Sequence, residues 1–382
     1  MKIGIMLRHL DQHGGVLQYT HTIVRQLIGL DTPHEFVLMY RNPKYIGMYG
    51  NNTRVREVCI QAPSAFLWDQ VAVRLAEKKE KFDLIFNPKY SLPLTAKSRT
   101  VFICHGLDWY VMPWGSRWTD RLSHQHLIPR YVKKADDVIA VSHTARQHMI
   151  QYLGIDEDRV HAIYLGVDEA FGQPIPQERL EEIKRAYQLP DRYFLFAGQI
   201  FPNKNFGRLV QAYAKVGPEL GIPLVVAGTH TWKSEDEIAL IDQLGISDWV
   251  LQPGWIDRET LPTFYALAEA LIFPSLYEAC PSPLLEAMSS GCPIVTADRH
   301  GTAELAGEAA ALVDPEDVES IAEGMRRVVC DQGLRQQLIQ AGRQRVKDFS
   351  WEKCARQTLE VLESVGGHQR SYAADYQTLT TK

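Results

Sequence analysis

The stretch YEACPSPLLEAMSSGC, residues 277–292, places Glu278 and Glu286 eight positions apart across a predicted turn. The apolar run 270–273 before it predicts a short buried strand, and the apolar residues after Pro283 predict one face of a helix. Two turns of α-helix advance about seven residues, so Glu286 can face the same cleft as Glu278. Carboxylates accept hydrogen bonds from hydroxyl groups, and a helix start binds anions. The pattern is typical of a sugar-nucleotide clamp, although helix capping by Glu278 and a solvated Glu286 would also explain it.

Composition describes a globular chain that is large enough for two or three domains. It has 382 residues, of which 45% are hydrophobic and 23% charged. The net charge of -5 gives no general attraction to nucleic acid, which is not expected as a partner. Six scattered cysteines without a CxxC pair argue against a disulfide framework or a zinc site. Because the start resembles a strand and no apolar run reaches the roughly 18 residues that span a bilayer, we expect a cytoplasmic protein.

Short apolar strands alternate with longer helical stretches in two series, the rhythm of parallel sheets. The first series predicts strands at 2–7, 36–40, 83–86, 100–104, 137–141 and 160–164. After a polar stretch at 166–190, the second predicts strands at 193–198, 223–228, 249–254, 270–273, 293–297 and 310–313. The fold class is therefore α/β, with two Rossmann-like domains whose parallel sheets face a cleft. We place the domains at 1–168 and 169–362, followed by a polar tail at 363–382 that frays or packs back on the first domain.

Four further residues follow predicted strands and would face the cleft. Gly14 and Gly15 allow the backbone to approach a phosphate, or simply form a tight turn. Lys204 can place a positive charge on a phosphate, although most lysines are solvated surface residues. His105 can contact a ligand, or be bonded within its own loop. No GxGxxG sequence follows either first strand, which argues against a dehydrogenase.

Patterns for metal binding are weak. His9 and His13 are four apart but lie in a predicted loop, and no HExxH sequence occurs. The acidic triplet 156–158 precedes a strand rather than ending one, so it is interpreted as a solvated connector. We expect no metal and no other cofactor.

Several motifs in one order resemble a known family. They are Gly14–Gly15, VFICHGLD (101–108), ADDVIAVSHTAR (135–146), YLGVD (164–168), FAGQIFPNKN (196–205), VVAG (225–228), the Glu278 and Glu286 pair, and FSWEKCA (349–355). Together they resemble the retaining GT-B glycosyltransferases of glycosyltransferase family 4, over nearly the whole chain. The resemblance implies an acceptor-binding first domain and a nucleotide-sugar-binding second domain.

The resemblance also implies a reaction and its residues. A hexose, most simply mannose or glucose, would pass from a GDP- or UDP-sugar to an acceptor hydroxyl with retention, on a saccharide or lipid-linked saccharide. The implied catalytic residues are His105, Lys204 and Glu278. The implied donor-binding residues are Gly14, Gly15, Gly198, Gln199, Lys204, Asn205, Gly228, Ile256, Cys280, Pro281, Ser282, Pro283, Leu284 and Glu286. Gln199 and Asn203 stand where relatives often carry arginine, which weakens the transfer of an Arg-Lys pair to this chain.

Two questions stay open at the sequence level. The basic segment 117–134 mixes cations with apolar residues and would suit an anionic bilayer, but Pro129 is expected to interrupt a long amphipathic helix, so a solvated segment is equally consistent. A non-catalytic sugar-nucleotide-binding protein, or another GT-B enzyme such as an epimerase or phosphorylase, would carry the same pattern.

Overall fold

A computed structural model describes residues 1–11, 14–50, 52–231 and 234–367 of the chain. Within them, seven parallel strands form the first sheet in the order β3-β2-β1-β4-β5-β6-β7, and six form the second in the order β10-β9-β8-β11-β12-β13. The strands are β1 Lys2–Met6, β2 Glu35–Tyr40, β3 Val55–Cys59, β4 Leu84–Asn87, β5 Arg99–Cys104, β6 Asp137–Ala140, β7 Val160–Ala162, β8 Phe194–Ala197, β9 Leu224–Ala227, β10 Val250–Gly254, β11 Ala270–Phe273, β12 Ile294–Ala297 and β13 Ala311–Val313. The predicted fold, two Rossmann-like parallel sheets, is confirmed.

Helices connect the strands and cover both sheets. They are α1 Gly15–Gly29, α2 Ala65–Leu67, α3 Val73–Glu80, α4 Asp108–Val111, α5 Trp118–Lys134, α6 His143–Leu153, α7 Gln177–Ala186, α8 Phe206–Leu220, α9 Glu235–Gln243, α10 Leu261–Leu267, α11 Ser282–Ser290, α12 His300–Ala306, α13 Val318–Cys330, α14 Gln332–Arg345 and α15 Trp351–Gly367. A π-helical turn, Trp68–Ala72, joins α2 to α3.

The central strands are apolar along their whole length because helices bury both faces of each sheet. All four residues of β8 and of β11 are buried, for example. Strand order reverses between β1 and β4 in the first sheet and between β8 and β11 in the second. Ligands of such sheets bind beyond the carboxyl ends of the strands at these reversals. The predicted Glu278 and Lys204 loops follow β11 and β8 and therefore meet at the reversal of the second sheet.

The last helix returns from the second domain to the first. Helix α15 packs against α1 and behind β4, β5 and β6. The rings of Tyr19 and Trp351 make an edge contact at 5.5 Å, and His34 Nε2 lies 2.8 Å from Glu363 Oε1. The predicted domain boundary at residue 362 therefore lies inside α15. Residues 368–382 of the predicted tail are outside the described part of the chain.

Two details of the fold differ from the sequence prediction. The short edge strand β3 was not predicted, because charged residues interrupt its apolar pattern and the strand is only half-buried. The expectation that Pro129 interrupts the helix at 117–134 was wrong. Helix α5 continues through Pro129 to Lys134, since Ile128, Tyr131 and Val132 bury the surrounding turn in the domain.

The last feature of the fold is the length and polarity of the helices in the described residues. None of them is both long and apolar enough to cross a membrane.

Candidate functional site

The loop between β11 and α11 brings two of the predicted catalytic residues into contact. Lys204 Nζ donates to Glu278 Oε1 at 2.5 Å. The same ammonium group lies 4.8 Å above the centre of the Phe273 ring, a cation–π contact. The side chains of Lys204 and Glu278 are 16% and 12% exposed, so solvent screens this pair only partly. A positive and a negative group thus stand together where a ligand of the second sheet would bind.

Asn203 and Asn205 hold the loop that carries Lys204. Asn203 Nδ2 donates to the Tyr277 carbonyl oxygen at 3.0 Å, which ties this loop to the Glu278 loop. Asn205 is buried with a left-handed φ of +59°. Its side-chain amide donates to two carbonyl oxygens and its Oδ1 accepts from Arg208. The structure thus gives the Asn205 side chain a positioning role, and the Arg208 guanidinium is directed toward Asn205.

Glycines shape the approach from both domains. Gly198 has a φ of +135°, and a side chain at Gly228 would lie 1.8 Å from the Gly198 carbonyl oxygen. The loops after β8 and β9 therefore approach each other closely only because Gly228 lacks a Cβ. A Cβ at Gly14 would lie 3.3 Å from Gln199 Oε1. The Gly14 turn of the first domain, followed by Gly15 at the start of α1, thus faces the predicted donor loop across the cleft.

Helix α11 begins at Ser282, directly after the Glu278 loop, so its positive end lies close to the Lys204–Glu278 pair. Pro281 and Leu284 are buried, Pro283 lies in the first turn, and Cys280 is half-buried. Burial raises the pKa of the Cys280 thiol, so it stays protonated and is a poor nucleophile at neutral pH. Ile256, one of the predicted donor-binding residues, is buried in the loop after β10.

Glu286 lies in a different environment from Glu278. Its carboxylate is buried and accepts from Arg258 Nη1 at 3.1 Å and from the Tyr265 hydroxyl at 2.9 Å. Burial raises the pKa of Glu286, while Arg258 and Tyr265 oppose the rise. Arg258 also reaches Asp168 Oδ2 at 3.3 Å. Arg258 was not predicted from the sequence, although it follows the predicted donor-binding residue Ile256 by two positions.

His105 follows β5, and its ring is an edge-to-face neighbour of Tyr19. Its Nε2 lies 2.7 Å from the Pro88 carbonyl oxygen. Because a carbonyl oxygen only accepts, Nε2 carries the proton. Burial lowers the pKa of His105 to about 4, so the ring is neutral at pH 7 and Nδ1 is its acceptor. Nδ1 of His105 can therefore accept a hydrogen bond from a hydroxyl group.

His9, which follows β1, is a further histidine of the first domain. It is buried, and neither of its ring nitrogens has a partner among the described residues. Burial, with Arg8 and Lys89 nearby, lowers its pKa. His13, weighed with His9 as a metal ligand, lies outside the described residues. Within the part of the chain that the structure describes, no group of three or more His, Cys, Asp or Glu side chains could hold a metal ion.

Two residues of the second domain, Tyr277 and Glu304, make contacts with the first domain that were not predicted. The Tyr277 hydroxyl accepts from the Leu107 amide at 3.1 Å and lies 3.2 Å from His148 Nδ1. Glu304 of α12 accepts from the amides of His143 and Thr144 at 2.7 and 2.8 Å. Tyr277 was within reach of sequence reasoning because it precedes Glu278. No neighbouring sequence pattern indicates the contacts of Glu304, since its partners are about 160 positions away.

The chain matches two families of known proteins. Residues 13–171 match Glycosyltransferase Family 4, and residues 179–345 match Glycosyl transferases group 1. The O-antigen chain mannosyltransferase B of Escherichia coli is 30% identical over 65% of this chain. The MMP alpha-(1->4)-mannosyltransferase of Mycolicibacterium hassiacum is 29% identical over 67%. These matches span 64% and 60% of the two relatives, so less than two thirds of each.

Solved structures show the same architecture at low sequence identity. The sucrose-phosphate synthase of Thermosynechococcus elongatus superposes with a TM-score of 0.78 at 19% identity, covering 96% of this chain and 100% of that one. Anabaena HepE, solved in complex with UDP and glucose, superposes with a TM-score of 0.76 at 18% identity, covering 95% and 100%. The two sheets, the cleft loops and both family matches lead to one conclusion: this chain belongs to the group 1 glycosyltransferases of the GT-B fold.

Proposed function

We propose that this protein transfers a hexose from a nucleoside diphosphate sugar to a hydroxyl of a saccharide acceptor, with retention of the anomeric configuration and without a metal ion. The observation that carries the proposal is the Lys204–Glu278 contact beside the start of α11. Mannosyltransferases among its relatives support mannose as the transferred sugar, with glucose as the alternative. The O-antigen relative supports a place in polysaccharide synthesis.

Lys204 and Glu278 divide the donor between them. A nucleoside diphosphate leaves with growing negative charge, which an ammonium group in a partly shielded site stabilises. Lys204 supplies that charge, and the nearby start of α11 adds a positive dipole. Glu278 accepts hydrogen bonds from sugar hydroxyls. In this proposal Glu278 holds the sugar and does not attack the reacting carbon.

The proton of the acceptor hydroxyl then passes to the departing phosphate on the same face of the sugar. This route forms the new glycosidic bond as the bond to the diphosphate breaks, and it needs no enzyme nucleophile. A double displacement through Glu278 would need a second carboxyl group about 5 Å away on the other side of the bond. Glu286 is assigned to the ribose at the other end of the donor, so it is not that group.

The proposal also assigns roles to the other predicted residues. His105 accepts a hydrogen bond from a sugar hydroxyl at Nδ1, close to the reacting carbon. Glu286 accepts hydrogen bonds from the ribose hydroxyls once Arg258 moves aside, or while Arg258 shares the Glu286 carboxylate with them. The backbone near Ile256 contacts the base. Gly14, Gly15 and Gly198 let the backbone of both domains approach the diphosphate.

The test is thermal unfolding of the purified protein with UDP-, GDP- and ADP-sugars, NAD, and each donor with EDTA. A ligand at 100 times its dissociation constant adds about 2.7 kcal/mol to stability. We expect one sugar-nucleotide class to raise the unfolding temperature equally with and without EDTA. A shift with NAD alone, no shift at all, or a shift abolished by EDTA would contradict the proposed donor site. The donor identified in this way is then used to assay transfer, and the anomeric proton signals of the product report retention.

The same assay separates the alternative functions. A non-catalytic protein would bind the donor without turnover on any acceptor. An epimerase or phosphorylase would turn over without an acceptor or with free phosphate. Transfer that depends on an added saccharide supports the proposed reaction over both.

A further inference from the structure

An exposed apolar stripe runs along the helical segment 65–80 of the first domain. We use the name docking stripe for Phe66, Leu67, Val71 and Leu75. Their exposed fractions are 52%, 42%, 49% and 59%, whereas Trp68, Ala72, Val73 and Ala76 on the same segment are buried. Single exposed apolar residues are common, but four at helical spacing on one segment form a face that no described part of the chain covers.

The acidic residues of the same segment all point away from this face. Asp69 pairs with Arg8 through two hydrogen bonds of 2.9 Å. Glu77 pairs with Arg74 and accepts from the Ser98 amide and hydroxyl at 2.7 Å. Glu80 lies 3.1 Å from Arg56 Nη1. All three carboxylates are buried, so none contributes an exposed negative charge.

The cations at the end of the segment are instead exposed. Lys78, Lys79 and Lys81 follow Leu75 and face solvent. The outward side of the segment is therefore apolar and then positive, with no exposed acid between residues 63 and 81. This distribution suits a surface that offers both hydrocarbon and negative charge, which is the surface of an anionic membrane.

An open depression lies next to the stripe along the chain. It has a volume of about 640 Å³ and is lined by Asp11, Arg41, Asn42, Gln61, Ala62 and Pro63, among others. Arg41 and Gln61 follow β2 and β3, so the depression lies at the carboxyl ends of the first sheet, the ligand side of such a domain. Its wall ends at Pro63, and the docking stripe begins three residues later at Phe66.

We propose that the docking stripe and Lys78 and Lys79 seat this protein on an anionic lipid bilayer, with the depression turned toward an acceptor carried in that bilayer. The part of this proposal that concerns the acceptor rests on the proposed glycosyl transfer. Binding to the bilayer rests on the surface residues alone. The segment 117–134 is the competing site. It also exposes apolar residues, Trp118 and Leu122, but Asp120 is exposed between them.

The experiment is sedimentation of the full chain with vesicles of phosphatidylcholine alone or mixed with phosphatidylglycerol, without any sugar nucleotide. We expect binding to the anionic vesicles that weakens with salt, and little binding to the neutral ones. The double variant Val71→Ser/Leu75→Ser should lower the partition coefficient roughly tenfold. Lys78→Ala/Lys79→Ala should lower it by a similar factor on anionic vesicles.

The matched control is Leu244→Ser/Leu312→Ser, which removes two exposed apolar side chains from the second domain and should bind as the unmodified protein does. No binding to anionic vesicles overturns the proposal. Unchanged binding of the stripe variant, with loss in Trp118→Ser/Leu122→Ser, assigns the membrane site to α5 and also overturns it. A stripe variant that changes only the molar mass in solution shows that a second copy covers the face. Donor-induced thermal shifts, measured separately, show whether the proposed function fails as well.

Discussion

Glu278 and Glu286 belong to one strand–loop–helix unit, yet the structure uses them differently. Glu278 stands in the loop, contacts Lys204 from another loop, and keeps some exposure to the cleft. Glu286 stands inside α11, is buried, and is held by Arg258 and Tyr265. A carboxylate with one cationic partner at a loop end can exchange that partner for a ligand. A buried carboxylate with two partners also stabilises the fold, because its loss leaves both partners without an acceptor.

Removal of Lys204 should have the largest effect on this comparison. Lys204→Ala takes the positive charge from the leaving diphosphate, so we expect transfer to fall by roughly 10²- to 10³-fold. The measurement is the initial transfer rate with the donor identified by thermal shift. Lys215→Ala, which breaks an exposed pair with Glu319, is the control and should keep its rate. A Lys204→Ala enzyme with near-normal turnover would remove the role assigned to this lysine.

Substitution of the two glutamates tests the difference directly. Glu286→Ala leaves the Tyr265 hydroxyl and Arg258 without their acceptor, so it should lower the free energy of unfolding by about 1–3 kcal/mol. Glu278→Ala should cost less stability, since Lys204 can turn toward solvent, but it should lower transfer strongly. Denaturant unfolding compares the two variants. Equal losses of stability would show that the two carboxylates are not distinct in the way described.

Acidification should change the stability of the fold in opposite directions through the Glu278 side and the Glu286 side of this strand–loop–helix unit. On the Glu278 side, burial lowers the pKa of both His105 and His148 to about 4 from an ordinary value of 6.5. Between these values the unfolded chain binds protons that the folded chain does not, so stability is lost as the pH falls from 6.5 toward 4. Glu286 acts in the opposite direction because its pKa is raised. Unfolding measured across this range should flatten in His148→Gln and steepen in Glu286→Gln; unchanged slopes would contradict the assignment.

The smallest expected effect concerns Tyr277, which joins the Glu278 loop to the first domain. Tyr277→Phe removes the acceptor of the Leu107 amide and the contact with His148. We expect a loss of about 0.5–1.5 kcal/mol in unfolding free energy. Thermal unfolding at pH 7 gives the measurement. A loss of unfolding free energy larger than that of Glu286→Ala would show that the Tyr277 contacts contribute more to stability than Glu286 does, which is the reverse of our expectation.

Sequence reasoning succeeded where a signal is local and failed where it is not. The buried strands, such as β8 and β11, are continuous apolar runs in the sequence, so both sheets were predicted. The loops after these strands follow from parallel topology, which is why Lys204 and Glu278 were expected near each other. The partners of Glu286 were missed because Arg258 is 28 positions away, and pairing across elements depends on how α11 packs beneath the loop after β10.

Helix α15 has a further consequence for how the chain is made. The strands of the first sheet are complete by Ala162, but α15, which packs against α1, does not begin until Trp351. Gly366 lies against the side chain of Met1. During synthesis the face of α1 that α15 covers therefore stays uncovered until the second domain has been made. Met1 gains its contact with Gly366 only after the strands of both sheets have been translated.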